Sequence, residues 1–400
     1  MQINVDSEVI AYSTPEGKVN LEFGSQGFTV VPKPGVPIEQ QLQDVLNFWA
    51  SQVGHPLSVY WDGETITSNQ PLLVQPVQDF PPPPEAPAPE VGHLGAHEDH
   101  SLLTVRQHEA PAKHGLRGAL NSLPGVHVKP GRREMTQREQ IALVSKHWAG
   151  PRTIAVVNGK GGSNKTPTTI LLSALFARFG GSGVLAWDNN STRGTLGWRT
   201  DQAAHERTVL DLLPHAEDFL RPDANSAHLA HYLHHQTLDK YDVLRSHPEV
   251  LSSEQNIGAN EFNRLMEVAQ KYFRLIFIDS GNDESAASWL AMIERTNQLV
   301  VATTTREEHA ESGRLLLEEL SRRGDHAANL AQKAVIIVSQ ATPSEEKPER
   351  LVAAFSQLSQ KAVGVPYDKA MSGRPLHLDG LAKSTQDAWL AAAAEIAKNL

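Results

Sequence analysis

The residues best suited to chemistry form one short loop, which follows an apolar run and precedes the apolar stretch Ile170 to Phe179. The loop consists of Gly159, Lys160, Gly161, Gly162, Ser163, Asn164, Lys165, Thr166 and Pro167. Glycines let successive backbone amides face a phosphate, and the N-terminus of a following helix adds positive potential. In that setting the Lys165 ammonium would neutralise the terminal phosphates of a nucleotide, and the Thr166 hydroxyl would bind Mg²⁺. The loop therefore predicts a site for ATP and Mg²⁺.

This loop resembles the deviant Walker A motif, Lys-Gly-Gly-X-Gly-Lys-Thr, of the ParA/MinD family of P-loop ATPases, over about residues 150–400. The resemblance implies that Lys160 reaches across an ATP-sandwiched homodimer to the phosphates of the second subunit. It also implies that Asp188 lies near the metal and that Asp279 holds Mg²⁺ through water. The alternatives are a glycine-rich turn of a sugar- or flavin-binding protein and, for Asp279, an ordinary capping aspartate at a strand end.

Three positions depart from the expected pattern. Asn190 stands where the family has a second carboxylate that positions the attacking water, and an amide cannot accept a proton as a carboxylate can. Asn164 replaces the glycine before the catalytic lysine, and Asn tolerates a left-handed backbone better than other non-glycine residues. Pro167 lacks an amide, but in the first helical turn that amide has no intrahelical acceptor. We expect ATP binding through the catalytic group Lys160, Lys165, Asp188 and Asn190, with slow or partner-dependent hydrolysis.

The chain from residue 151 onward alternates short apolar runs with helical segments, as a parallel sheet with crossover helices does. The predicted strands are Thr153 to Val157, Val184 to Trp187, Leu275 to Ile278, Leu299 to Ala302 and Val335 to Val338. The tail from Asp387 to Leu400 predicts a helix packed on the core, because its apolar residues lie among alanines with a single lysine. The fold class is therefore α/β, a P-loop NTPase domain with a mostly parallel sheet flanked by helices, over residues 151–400.

A small α+β domain is predicted for residues 1–79. Its pattern is β-β-α-β, with strands at Ile3 to Tyr12, Val19 to Phe23 and Leu57 to Trp61, and an amphipathic helix from Ile38 to Val53. This order fits a ubiquitin-like module or another small α+β fold. Residues 80–114 form a Pro/His-rich linker, since Phe80 to Glu90 is too rich in proline for a helix or a central strand. Residues 115–150 form a basic connector with a helix from Thr136 to Trp148.

Charge is unevenly distributed, although the whole chain carries −10. Residues 1–100 carry −11, residues 101–150 carry +5 and residues 151–400 carry −4, so only the connector favours DNA or another acidic partner. The chain has no cysteine, which excludes disulfides, thiolate metal sites and cysteine nucleophiles. No apolar stretch is long enough to span a membrane, and the first 30 residues lack a basic-then-apolar pattern, so we expect a cytoplasmic protein.

Two groups of histidines invite a metal interpretation. The first is His93, His97, His100, His108 and His114, and the second is His228, His231, His234 and His235. We favour a polar linker for the first group, because no cysteine or ordered scaffold supports the ligands. For the second group we favour a solvated helix over a three-imidazole metal face.

The segments Gly115 to Gly118 and Pro130 to Glu134, together with the loop, resemble the MinD-like ATPases that accompany type VII (ESX) secretion in actinobacteria, which also carry a Pro-rich N-terminal region. One hypothesis is a nucleotide-switched ATPase that dimerises through its ATP site and positions cargo or a secretion or partition component. DNA is a weakly supported partner. The alternatives are a degenerate P-loop scaffold whose N-terminal domain binds the partner, and a metabolic kinase or amide-forming synthetase.

Overall fold

The computed structural model describes residues 10–13, 19–23, 26–30, 36–53, 58–61, 64–67, 128–190, 194–247, 257–358 and 360–400. The chain divides into two compact units, residues 1–105 and 106–400. The predicted Pro/His-rich linker at 80–114, the first histidine group and residues 115–127 of the predicted connector lie outside the described residues.

Among its described residues, the first unit contains two antiparallel sheets and one helix. Its elements are β1 (Ile10–Ser13), β2 (Val19–Phe23), β3 (Gln26–Val30), α1 (Ile38–Val53), β4 (Ser58–Trp61) and β5 (Glu64–Thr67). Strands β1, β2 and β3 pair in that order, and β4 pairs with β5. Leu21, Leu42, Leu46 and Val59 form part of a small buried core. The predicted hairpin and helix are confirmed within the described residues, whereas β3 and β5 were not predicted.

An eight-stranded sheet forms the centre of the second unit. Its strands are β6 (Arg152–Val157), β7 (Val184–Asn189), β8 (His234–Gln236), β9 (Tyr241–Leu244), β10 (Leu275–Ser280), β11 (Gln298–Thr304), β12 (Val335–Ser339) and β13 (Lys361–Val365). The spatial order is β13-β12-β11-β6-β10-β7-β9-β8. Every pair is parallel except β8 with β9. The predicted mostly parallel sheet is confirmed, and its five predicted strands are each somewhat longer than the sequence indicated.

Helices cover both faces of this sheet. They are α2 (Arg132–Val144), α3 (Lys165–Gly180), α4 (Val209–Leu212), α5 (Ala216–Leu220), α6 (Ser226–Leu229), α7 (Ala259–Tyr272), α8 (Ala287–Glu294), α9 (Glu307–Leu320), α10 (Asp325–Gln332), α11 (Glu349–Gln357) and α12 (Lys383–Ala397). Alternate residues of β6 face opposite layers: Ala155 and Val157 pack in one core, Ile154 and Val156 in the other. The fold is thus a three-layer α/β/α arrangement with a core on each side.

The C-terminal helix α12 packs on the core, as predicted. Trp389 and Ile396 are fully buried in the same cluster as Phe176 of α3. Helix α2 begins and ends earlier than predicted and packs against α12 and α3, with Val144 completely buried. This part of the predicted connector therefore belongs to the second unit.

The interpretation of the second histidine group as a solvated helix is wrong. Its residues fall on α6, on a short 3-10 segment (Ala230–Tyr232) and on β8. His234 is buried and accepts the Ala203 amide at Nδ1, 3.1 Å away, while its Nε2 lies 3.0 Å from the Arg207 carbonyl. Pairing with β9 outweighs helix formation here, because it places His234 and Gln236 in the interior beside the sheet.

Candidate phosphate-binding site

The loop between β6 and α3 is braced by one buried side chain, that of Asn158. Its Oδ1 accepts the Lys160 amide at 2.9 Å, and its Nδ2 donates to the carbonyls of Ala302 at 2.8 Å and His309 at 3.0 Å. The loop is therefore tied to β11 and to the start of α9. This arrangement places the loop at the carboxyl end of β6, the edge where ligands bind in open α/β sheets.

Two loop residues adopt the left-handed conformation, Gly162 at φ 78° and Asn164 at φ 68°. Asn164 therefore has the left-handed backbone conformation that the sequence analysis predicted it would tolerate. Its amide Nδ2 donates to Ser339 Oγ at 2.9 Å, and Ser339 Oγ donates to the Thr303 carbonyl at 3.1 Å. The side chain is thus directed to the end of β12. Helix α3 starts immediately afterwards and accommodates Pro167 in its first turn.

The Lys165 ammonium is held inside the loop. Its Nζ donates to the carbonyls of Asn158 at 2.8 Å and Lys160 at 3.1 Å, and to Asn282 Oδ1 at 2.6 Å. Burial lowers the pKa of Lys165, while Asp279 and Glu284 oppose that change. Lys160, by contrast, is exposed at the rim. The two lysines therefore differ in setting, one buried beneath the loop and one pointing to solvent.

Two carboxylates lie side by side next to Thr166. Asp188 on β7 is the register partner of Asp279 on β10, and both side chains are buried. Thr166 Oγ1 donates to Asp279 Oδ2 at 2.6 Å, while Asp279 Oδ1 is buried without a hydrogen-bond partner. Burial, together with the neighbouring Asp279 carboxylate, raises the pKa of Asp188 to about 8. Burial also raises the pKa of Asp279 to about 6, although the hydrogen bond from Thr166 and the charge of Lys165 lower it. A half-buried hydroxyl and two buried carboxylates, one of which has an unpartnered oxygen, fit a hard divalent cation such as Mg²⁺.

The remaining oxygen contacts of Asp188 come from two loops. Its Oδ2 accepts the Leu196 amide at 3.2 Å and the Ser246 hydroxyl at 3.1 Å, and its Oδ1 accepts the Asn190 amide at 3.3 Å. Gly194 lies flat against the carboxylate, because a Cβ at that position would be 2.0 Å from Asp188 Oδ2. Only glycine fits there without movement. The turn after β7 is thus packed directly on the candidate metal ligand.

A cavity of about 350 Å³ lies over the loop. Its lining comprises Gly161, Gly162, Ser163, Asn164, Lys165, Thr166, Pro167, Asn190, Thr195, Arg199, Asp279, Ser280 and Asn282. Most of the predicted site residues are therefore brought to one place. Gly159 and Lys160 line a neighbouring groove instead, and the buried Asp188 is not among the residues that line the cavity. Asn190 lines the cavity but is half-buried, and its amide cannot act as a base.

Four lining residues were not predicted from the sequence, namely Thr195, Arg199, Ser280 and Asn282. Asn282 receives the Lys165 ammonium, and Thr195 Oγ1 lies 2.9 Å from Thr166 Oγ1. Arg199 is half-buried, donates to the Met371 carbonyl and has a pKa lowered by burial and by Arg374. Ser280 and Asn282 follow the predicted metal residue Asp279 closely in the sequence, and that position is a signal that could have found them. Nothing in the spacing marks Thr195 or Arg199, because the turn that carries them reaches the loop only in three dimensions.

The described part of the chain contains no group of three or more His, Asp or Glu placed to hold a metal, and no helix there is long and apolar enough to cross a membrane. The metal site considered above differs from such a group, because it combines two carboxylates with a threonine hydroxyl. This distinction leaves Thr166, Asp188 and Asp279 as the candidate metal residues.

Comparison with known proteins gives three results. Residues 151–329 match a family model described as an AAA domain. The ESX-1 secretion-associated protein EspI of Mycobacterium tuberculosis strain H37Rv is 23% identical over 278 residues, which cover 67% of this chain and 40% of that protein. The chain thus spans less than half the length of its curated relatives.

Solved structures give the third result. A ParA family ATPase from Chlorobium tepidum TLS is 17% identical with a TM-score of 0.46, covering 62% of this chain and 96% of that one. The cell division ATPase MinD of Pyrococcus furiosus is 22% identical with a TM-score of 0.46, covering 62% and 98%.

The sheet order, the glycine loop after β6 and the helix that begins at Lys165 define a P-loop NTPase domain. Within the residues 151–329 that match the AAA domain model, the structure holds two lysines, at 160 and 165, and aspartates at the ends of two neighbouring strands.

Proposed function

We propose that the second unit binds ATP with Mg²⁺ and works as a nucleotide-dependent switch. The observation that carries this proposal is the pair of buried carboxylates, Asp188 and Asp279, beside the Thr166 hydroxyl. Their raised pKa values mean that the pair retains a proton near neutral pH, which Mg²⁺ would displace. Thr166, Asp188 and Asp279 would hold the ion, and the ion would neutralise phosphate charge.

The phosphates themselves would lie along the loop from Gly159 to Pro167. Lys165 donates three hydrogen bonds to protein oxygens, and phosphate oxygens would replace those acceptors. The left-handed residues Gly162 and Asn164 turn the chain so that it enters α3, whose N-terminus favours an anion.

The switch would operate through a homodimer that closes over the ATP site. Lys160 is exposed at the rim of the loop, where a second subunit's phosphates would be within reach of its ammonium. Tighter binding of ATP than ADP by the closed dimer would shift the population between states. Hydrolysis would be slow or partner-dependent, because Asn190 replaces the carboxylate that positions water.

The likeness to EspI, a protein named for association with ESX-1 secretion, supports a role beside a type VII secretion component. A partition role with DNA is less well supported, because residues 151–400 carry −4 overall. The partner would read the nucleotide state of the dimer. This role belongs to the whole chain, whose acidic N-terminal part would contribute a second contact.

Calorimetric titration of the full chain with Mg²⁺-ATP tests the proposal. Wild type is expected to show saturable binding, and Lys165→Ala to weaken it 10- to 100-fold, since a hydrogen bond to a charged group contributes about 1.5–3 kcal/mol. Lys361→Ala is the matched control, because Lys361 is exposed on β13 and contacts no part of the loop. Binding that is absent in wild type would favour a degenerate P-loop scaffold instead.

A further inference from the structure

Arg199 brings a positive charge to the phosphate cavity without an adjacent carboxylate. Its side chain is half-buried and lines the cavity beside the glycine loop. Among the residues that the structure describes, no carboxylate comes within ion-pair distance of its guanidinium. Arg178 shows the contrast, because this half-buried side chain lies 2.9 Å from Asp239 and 2.6 Å from Asp379. A guanidinium stays charged in a folded protein, so the cavity holds a cation whose counter-ion is not next to it.

The hydrogen-bond donors of Arg199 are also largely unused. Nη2 donates to the Met371 carbonyl, whereas Nε is buried without a partner. Nη1 donates no hydrogen bond to any residue in the described part of the chain. Arg274 is half-buried and likewise outside any ion pair, but its Nε and Nη2 donate to three backbone carbonyls. Arg199 thus retains a donor for a ligand where Arg274 is bound by the protein.

The charges around Arg199 leave room for an anion. Burial and the neighbouring Arg374 lower the pKa of Arg199, which means that both disfavour its charge, while Asp279 opposes them from a distance. Asp279 is a candidate Mg²⁺ ligand, and a bound Mg²⁺ would neutralise the attraction that it exerts on Arg199. A negative group inside the cavity would then be needed to balance the guanidinium.

The backbone of Arg199 is fixed on both sides. Arg199 lies on the turn 194–200, where its amide donates to the Leu196 carbonyl at 3.1 Å. Its own carbonyl accepts the Leu376 amide at 2.9 Å. The Leu196 amide in turn donates to Asp188 Oδ2 at 3.2 Å. The guanidinium is therefore presented to the cavity from a turn that is anchored to a candidate metal residue, which lowers the cost of ordering it for a ligand.

We propose that Arg199 binds a phosphate oxygen of the nucleotide through Nη1, within the subunit that holds that nucleotide. An arginine suits this role, because hydrogen bonds from a guanidinium to phosphate are charge-assisted. The role differs from that of Lys160, which would reach the phosphates of a second subunit. The proposal rests on the proposed function, since it needs nucleotide in the cavity.

The test is calorimetric titration of the full chain with Mg²⁺-ATP and, separately, with Mg²⁺-tripolyphosphate, which has no base or ribose. Arg199→Gln should weaken both ligands by about tenfold or more, because it removes a hydrogen bond between charged groups. Arg199→Lys should weaken them less, since the charge remains.

Two other arginines provide matched controls. Arg374 is exposed and outside the cavity lining, so Arg374→Gln should change either affinity by no more than about twofold, because solvent and salt screen an exposed charge. Arg274 lies at the amino end of β10, the opposite edge of the sheet from the loop. Arg274→Gln should lower the stability of the unit and leave both affinities unchanged.

Hydrogen exchange of the Leu196 and Leu376 amides in the nucleotide-free protein separates ligand binding from a structural role. Arg199→Gln should leave the protection of both amides unchanged. Loss of that protection, with affinity lost equally in Arg199→Gln and Arg199→Lys, would show that Arg199 only supports the turn and would overturn the proposal. Wild-type affinity in Arg199→Gln would overturn it while leaving the proposed function intact. A wild type that binds neither ligand would overturn the proposed function, and this proposal with it.

Discussion

Replacing Asp279 by asparagine should stabilise the Mg²⁺-free protein at pH 8. Below about pH 4 the Asp188 and Asp279 carboxyls are protonated in the folded and the unfolded chain alike, so their burial is fully compatible with folding. As the pH rises through about 6 and then about 8, the folded state must ionise two adjacent buried groups, and that stability is lost. The wild-type protein should therefore lose stability between pH 4 and pH 8.

The size of the effect follows from the Asp279 pKa. A rise from 3.8 to about 6 corresponds to about 3 kcal/mol at pH 8. The oxygen of the new amide would still accept a hydrogen bond from the Thr166 hydroxyl. If Asp188 accepts a hydrogen bond from only one of the two N–H groups, the other is buried without a partner and costs about 1 kcal/mol. The variant also removes the repulsion that contributes to the raised pKa of Asp188. The net expectation is about 2 kcal/mol of stabilisation at pH 8 and about 1 kcal/mol of destabilisation at pH 4, where only the cost of the buried amide group remains.

Native-state hydrogen exchange of the β6 and β10 amides measures this free energy in the second unit alone. Asp239→Asn is the matched control: Asp239 is buried too, but it lies 2.9 Å from Arg178 Nη2 and 3.1 Å from His377 Nδ1. Breaking that pair should cost about 3–5 kcal/mol. Mg²⁺-ATP should protect wild type and leave Asp279→Asn unprotected. If Asp279→Asn destabilised the unit at pH 8 as Asp239→Asn does, the carboxylate pair would not be repulsive and the metal assignment would lose its basis.

Two further substitutions test separate parts of the site. Gly194→Ala should destabilise the second unit by about 1–3 kcal/mol, because the new Cβ would fall 2.0 Å from Asp188 Oδ2. Hydrogen exchange measures this loss of stability. Gly380→Ala is the control and should show no comparable loss, because nothing lies within 4 Å of a Cβ at that position. Asn190→Asp should raise the ATP turnover rate by about 10²-fold or more, as a positioned base does; an unchanged rate in a phosphate-release assay would show that Asn190 is not what limits hydrolysis.

The sequence was sufficient to predict the centre of the sheet, because each central strand is buried on both faces and is therefore a run of apolar, often β-branched residues. The edge strands β8 and β13 were not predicted, because they lack such an apolar run. Strand β8 reads His-His-Gln and β13 is only partly buried, so neither presents such a run. The loop motif likewise predicted Lys165 and Thr166, whereas Ser246 reaches Asp188 from 58 residues away, a contact set by the pairing of β7 with β9.

The two asparagines that depart from the family pattern affect different parts of the proposed cycle. Asn164 has a left-handed backbone and donates its side-chain amide to Ser339, so the loop enters α3 without a glycine at this position. In the proposed switch, Asn190 would change only the chemical step, because the contacts that fix the turn 194–200 converge on Asp188. Binding and switching would then persist where hydrolysis is slow. On the proposed function, such a chain would remain in its ATP state until a partner supplied the missing catalytic group or exchanged the nucleotide.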